Sequence, residues 1–312
     1  GGANACTGPA GFTDTHQSAE CSAAALGLGA IDVAVCSTGL IGERLDMARL
    51  LPGIDAAAHA LSSTGGPDAA RAIMTTDSVP KQAVHDAGDW SIGGMAKGAG
   101  MLAPALATML VVLTTDALLA PEVADAALRA ATAATFDRLD SDGCMSTNDT
   151  VLLMASGASG VAVDQADLTA ALTAVSEDLA RQLMADAEGA SKEVAIRVHA
   201  AATVQDALEV ARAVARSNLL KCALHGNDPN WGRVLAAVGT TRAAFDPDDL
   251  DVTINGVGVC RRGAAAADRR LVDLSGRHVL IEIGLAAGGQ TATVLTNDLT
   301  AAYVHENSAY ST

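Results

Sequence analysis

Lys192-Glu193-Val194-Ala195-Ile196-Arg197-Val198-His199-Ala200 alternates with a period of two, Val194, Ile196 and Val198 on one side and Glu193, Ala195, Arg197 and His199 on the other. Successive side chains of a strand point to opposite faces, so this stretch reads as a half-buried β-strand. A helical segment over 204–217 follows it directly. A strand that hands over to a helix predicts a helix lying on a sheet. Further strands are expected at 31–36, 82–90, 91–96, 109–114 and 150–155. Across 251–294, strands alternate with turns at Gly256, Gly258, Gly276 and Gly288-Gly289. Helices are expected at 17–28, 43–51 (stopped by Pro52-Gly53), 67–74, 121–138, 167–187 and 298–306. The fold class is therefore α/β in mixed α+β layers, with helices packed on mixed β-sheets. The strand-rich final part, about 192–312, reads as a subdomain.

Composition narrows the function. Half of the 312 residues are hydrophobic and 18% are charged, which suits a large core of Ala, Val, Leu and Ile. Aromatic residues make up 2% and the net charge is −16, so neither base stacking nor phosphate attraction is served; no nucleic-acid partner is expected. The uncharged run 98–115 reaches the length of a membrane span but contains Gly98, Gly100, Pro104 and three threonines, so it reads as a core segment, with no membrane partner. The six cysteines form no C-x-x-C pair and read as buried thiols of a reducing compartment. The opening Gly1-Gly2-Ala3-Asn4 has no basic or apolar leader pattern. It predicts a cytoplasmic protein whose sequence starts inside a longer chain.

Several segments could carry chemistry. In Gly93-Gly94-Met95-Ala96-Lys97-Gly98-Ala99-Gly100 the glycines permit close backbone approach, and Lys97 offers a charge to a carboxylate or phosphate; a structural turn explains the same residues. Ala107-Thr108 precedes an apolar strand. A hydroxyl there can attack the preceding carbonyl, and cleavage would free an α-amine of about the right basicity to act on its own hydroxyl. An ordinary buried threonine is the alternative. Ser37-Thr38-Gly39 can form an oxyanion hole or merely a capping turn. Thr75-Thr76-Asp77 and Ser146-Thr147-Asn148-Asp149-Thr150 are short polar clusters beside apolar segments, where caps and turns are common. Glu188 follows a long helix, at an end that disfavours acids. His225-Gly226-Asn227-Asp228-Pro229-Asn230-Trp231-Gly232-Arg233 reads as a dense polar loop. Its single His lacks a second ligand at metal-binding spacing, so no metal is expected.

These segments together resemble the ornithine acetyltransferase (glutamate N-acetyltransferase) family of arginine biosynthesis. The resemblance is carried in order by Gly1-Gly2-Ala3-Asn4-Ala5, Ser37-Thr38-Gly39, Ile73-Met74-Thr75-Thr76-Asp77, Ala96-Lys97-Gly98-Ala99-Gly100-Met101, Ala107-Thr108-Met109-Leu110, Ser146-Thr147-Asn148-Asp149-Thr150, Asp186-Ala187-Glu188-Gly189, Asn227-Asp228-Pro229-Asn230-Trp231-Gly232-Arg233 and Glu306-Asn307-Ser308-Ala309-Tyr310. It implies an autoprocessed threonine-nucleophile acyltransferase fold. The precursor would cut itself between Ala107 and Thr108, giving an α chain (1–107, its N-terminal part missing here) and a β chain (108–312). Thr108 would then take acetyl from N-acetylornithine and pass it to glutamate. Thr38 and Gly39 would stabilise the oxyanion, and Thr75, Lys97, Thr108, Glu188, Asn307 and Thr312 would bind substrate, with Thr76 an alternative to Thr75. The resemblance further implies no cofactor, acetyl-CoA as a possible second donor, and a heterotetramer of two α and two β chains. A related hydrolase or acyltransferase of a specialised pathway, and a non-catalytic anion-binding protein, are the competing readings.

Overall fold

The chain's computed structural model describes residues 2–103 and 109–309. Its first sheet is built from β1 (Lys81–Asp86), β2 (Ser91–Lys97), β3 (Leu110–Thr115) and β4 (Thr150–Ala155), in that order. The first three strands are antiparallel; β4 is parallel to β3 and is reached through helix α4 (Pro121–Ala134). Helix α5 (Gln165–Ala185) begins at Asp164, whose side chain accepts the Asp167 amide at 2.9 Å. Its Leu168, Leu172, Val175, Leu179 and Leu183 recur at helical spacing and are fully or nearly fully buried, each contributing about 1.5–3 kcal/mol by leaving water. Gly94 lets this helix lie close on β2: a Cβ there would stand 2.8 Å from Leu113 and 3.0 Å from Leu179.

The second sheet contains the alternating stretch after Lys192 as β5 (Glu193–Ala201), in the order β10-β5-β9-β6-β7-β8. The ranges are β6 Asp251–Ile254, β7 Val257–Arg261, β8 Ala264–Ala265, β9 His278–Gly284 and β10 Gln290–Asn297. Strand β5 is antiparallel to β10 and parallel to β9. Val194, Ile196 and Val198 point into a core shared with Ile281 and Ile283 of β9 and with Val210 and Val214 of helix α6 (Val204–Ala215). The two sheets are stitched where the Asp140 amide donates to Leu295 at 2.8 Å and the Ser141 amide to Leu102 at 2.6 Å. The mixed α/β class is as expected, and the segment 98–115 contributes a core strand, β3. Among the described residues no helix is long and apolar enough to cross a membrane.

The structure corrects several expectations. Residues 31–36 are not a buried strand: Ala30–Asp32 form a 3₁₀ turn, Ile31 is 95% exposed, and 33–38 pair into no sheet. An apolar run without a neighbouring strand has nothing to bury against. The first helix, α1 (Gly8–Leu26), starts earlier than residue 17, with Pro9 in its first turn, and Gly27 at φ +69° closes it. Pro52 lies inside helix α2 (Met47–His59) instead of ending one; the Ala56-Ala57-Ala58 run beyond it favours continuation and α2 packs on α1. Helix α3 (Gly66–Ala72) falls close to its expected place.

The polar stretch 225–233 is a tight link between two unforeseen helices, α7 (Asn218–His225) and α8 (Trp231–Val238). Asn227 adopts φ +56°, the Asp228 amide returns to Ala223, and Asn230 caps α8 by accepting from the Arg233 amide. Its polarity is consumed by helix ends. The cysteines are all free, but only Cys260 is buried; Cys6, Cys36, Cys144 and Cys222 are exposed. The final helix, α9, spans Ala301–Ala309.

Candidate active site

Lys97 ends strand β2 and is 1% exposed; by strand alternation its side chain leaves the face opposite to that of Gly94 and Ala96, which lies against α5. Its Nζ donates to Thr38 Oγ1 at 3.3 Å and lies 4.0 Å from Asp77 Oδ2. Burial pushes the ammonium below its usual value; Asp77 opposes that and Lys81 adds to it. Burial also works against charge on Asp77. The Gly98 amide at 2.7 Å, the ion pair with Lys81 at 2.7 Å and the Thr75 amide at 3.1 Å outweigh it and hold that carboxyl low. Lys81, fully buried, also grips Asp186 at 2.6 Å, beyond the end of α5. Lys97 is therefore a buried cation shared with Asp77 only at arm's length, a suitable partner for a substrate carboxylate.

Thr38 and Gly39 sit in a loop held from two sides. The Ala3 amide donates to Leu40 O at 2.9 Å, and Ser37 Oγ to Ala3 O at 2.7 Å. Gly39 has φ +128°, a conformation that glycine accepts without strain. Asn148 Nδ2 donates to the Ala3 carbonyl and to Ser37 Oγ, while the neighbouring Asp149 accepts the Met109 amide at 2.9 Å. The Asn148-Asp149 pair thus ties the Thr38 loop to the start of β3. Asp149 Oδ2 is buried with no hydrogen-bond partner among the described residues, and burial raises its carboxyl from 3.8 to about 7. A cavity of about 540 Å³ is lined by Thr38, Met74, Thr75 and Leu110. Thr75 reaches it; Thr76 is not among its lining residues.

Glu188 stands on the other side of the Gly-rich segment. Its amide donates to Ala99 O at 2.8 Å, and its carboxylate accepts from Asn307 Nδ2 of α9 at 3.0 Å. Gly100 makes room for it, since a Cβ there would be 2.6 Å from Glu188 Oε2. Gly189, at φ +60°, lies so close to the start of α9 that a Cβ would meet Tyr303 N at 2.2 Å. The acid after α5 therefore lies between the Gly-rich segment and α9. Lys97, Thr38, Gly39, Thr75, Glu188 and Asn307 are positioned as described; Ala107, Thr108 and Thr312 lie outside the described residues. Sequence reasoning did not single out Asp77 or Asp149 individually. The available signal was a lone carboxylate ending a run of small polar residues beside an apolar segment.

A buried lysine, a hydroxyl–glycine loop and an outlying carboxylate gather around a glycine-rich strand end of a mixed α/β protein, an arrangement able to hold a small charged ligand. The family model described as the ArgJ family matches residues 1–312. The chain belongs to the ArgJ family, in agreement with the resemblance carried by its motifs. It is 64% identical to the arginine biosynthesis bifunctional protein ArgJ of Streptomyces avermitilis, covering 100% of this chain and 81% of that protein. The protein of that name from Mycobacterium tuberculosis is 58% identical, with 100% and 79% covered. A crystal structure of arginine biosynthesis bifunctional protein ArgJ from Bacillus halodurans superposes with a TM-score of 0.60 at 32% identity, over 64% of this chain and 98% of that one.

Proposed function

We propose that this chain is a self-cleaving glutamate N-acetyltransferase of arginine biosynthesis, moving acetyl from N-acetylornithine to glutamate through an acetyl ester on Thr108. In maturation the Thr108 hydroxyl attacks the Ala107 carbonyl, the peptide nitrogen leaves as an α-amine, and water releases the resulting ester to give chains 1–107 and 108–312. In turnover the freed α-amine takes the hydroxyl proton as Oγ attacks the acetyl carbonyl, then returns it to the departing amine of ornithine. The amine of glutamate attacks the ester in the second half. The Thr38 hydroxyl and Gly39 amide stabilise each tetrahedral oxyanion. Lys97 pairs with a substrate carboxylate and Glu188 with an amino group, with Thr75, Asn307 and Thr312 completing the site.

The observation that carries this reading is the convergence of Lys97, the Thr38 loop and Asp149 on the entry to β3, the strand that follows Thr108. Exchange between two similar amines is near thermoneutral, so the reaction needs no cofactor; acetyl-CoA is a possible second donor. The working form is a cytoplasmic heterotetramer of two α and two β chains. Intact mass under denaturing conditions tests the mechanism: fragments 1–107 and 108–312 are expected from the parent and an uncut chain from Thr108→Ala. An uncut parent would remove the autoprocessing step. Acetyl released to water without glutamate would point to a hydrolase.

A further inference from the structure

A second cavity, of about 310 Å³, lies beyond Glu188, between the Gly-rich segment and the second sheet. Charges of both signs face it: Asp142, Glu188 and Asp298, Arg216 and Lys221; Asp298 is taken up by the Ser191 and Lys192 amides and by His225. Among the described residues none of these acids comes within 4.0 Å of either of these cations, so the charges do not neutralise one another by direct pairing. Each is held by its own partners instead. Asp142 accepts the amides of Met101 at 2.9 Å and Cys144 at 3.0 Å, with the Tyr303 hydroxyl at 3.4 Å. Lys221, 4% exposed, donates to the Ser141 carbonyl at 2.5 Å and Thr296 Oγ1 at 3.0 Å, both neutral groups. Arg216 is fixed through Nε on Asp140 at 2.8 Å, with 46% of its side chain still open. A buried ammonium without a contact anion is costly unless something else gains from it, and burial pushes Lys221 down to about 8.

We infer that this cavity is the side-chain pocket of the site and serves both amino acids: Arg216 and Lys221 receive the γ-carboxylate of glutamate, and Asp142 with Glu188 the δ-ammonium of ornithine. The inference rests on the acetyl-transfer reading above. In that reaction one site alternately holds two amino acids of similar length whose side chains end in opposite charges. A pocket of one sign would repel one of them; a pocket with paired charges would first have to break the pair. Preorganised groups of both signs, each held by its own partners and none in contact with the opposite charge across the pocket, meet either ligand without rearrangement.

The test is a binding titration on the intact protein, with glutamate, its neutral isostere glutamine, ornithine and its uncharged analogue norvaline. In the parent protein glutamate and ornithine should exclude one another, and each should bind at least about tenfold more tightly than its neutral counterpart, as a charge-assisted contact requires. Arg216→Gln or Lys221→Met should narrow the glutamate-to-glutamine ratio about tenfold, with partial recovery in Arg216→Lys. Asp142→Asn should narrow the ornithine-to-norvaline ratio. Equal losses for charged and neutral ligands, or simultaneous binding of glutamate and ornithine, would overturn the pocket. Should Lys221→Met not fold, Arg216→Gln and the parent's competition decide it. Acetyl transfer is measured in parallel. Its absence alongside the stated ratios refutes the transfer reading and leaves the pocket standing; its presence with unchanged ratios does the reverse.

Discussion

Lysine is scarce in this chain, and each of its four lysines is buried: Lys81, Lys97, Lys192 and Lys221 are all 5% exposed or less. Lysine ordinarily stays in water, so a chain that spends its few lysines in the interior uses each for a fixed contact. Lys81 holds Asp77 and Asp186, Lys192 donates to the carbonyls of Leu274 and Gly276, Lys97 donates to Thr38, and Lys221 lines the second cavity. At the same scale Asp149 makes a pH-dependent contribution. Burial raises its carboxyl from 3.8 to about 7, so the native state holds a proton that the unfolded chain releases. Its stabilising effect is therefore complete below about pH 4 and is lost as the pH rises to about 7. Asp149→Asn, which still accepts from the Met109 amide, should flatten that part of the stability profile. Urea midpoints from pH 4 to 8 would reveal it, and a parent-like slope would contradict the assignment.

At the scale of elements, the contact of α5 with β2 depends on a missing side chain. A methyl group at position 94 would meet Leu113, Leu179 and Val175 at 2.8–3.1 Å. Gly94→Ala should cost about 1–3 kcal/mol by overpacking, read as a lower urea midpoint at unchanged slope. Strands β4 and β5 and helices α5 and α6 were legible because their periodicity is strong and their apolar faces are long. The α7–α8 pair was not. Both helices are short, and the Asn227-Asp228-Pro229-Asn230 link between them has the composition of an open loop although its polar groups close helix ends. The apolar residues at 31–36 misled in the opposite sense, since a strand needs a neighbour that sequence cannot supply.

Over the whole molecule, distant segments are joined by buried polar contacts. The Asp77–Lys81–Asp186 cluster fastens the first sheet to the end of α5, and Lys221 ties α7 to Ser141 and β10. Lys81→Met would leave two buried carboxylates without their cation and should cost about 3–5 kcal/mol. Removing the exposed Arg129–Asp125 pair by Arg129→Gln should cost less than about 1 kcal/mol. Denaturation curves of the two variants provide the comparison; similar losses would mean that Lys81 does not organise the centre of the fold.

The layered α/β class and the family were legible in the sequence, which also named six residues that lie around the end of β2 and the Gly-rich segment after it, because periodicity and motif order are local properties of the chain. It also pointed to Lys97 and Glu188 as out-of-place charges. Tertiary structure decided what those charges face. Asp77 meets Lys81 and Gly98, Asn148 reaches back to Ala3, and Asp142, Glu188, Arg216 and Lys221 share one cavity. Burial and the distance between opposite charges fix their chemistry, and both depend on which segments pack together, which no single stretch of sequence records.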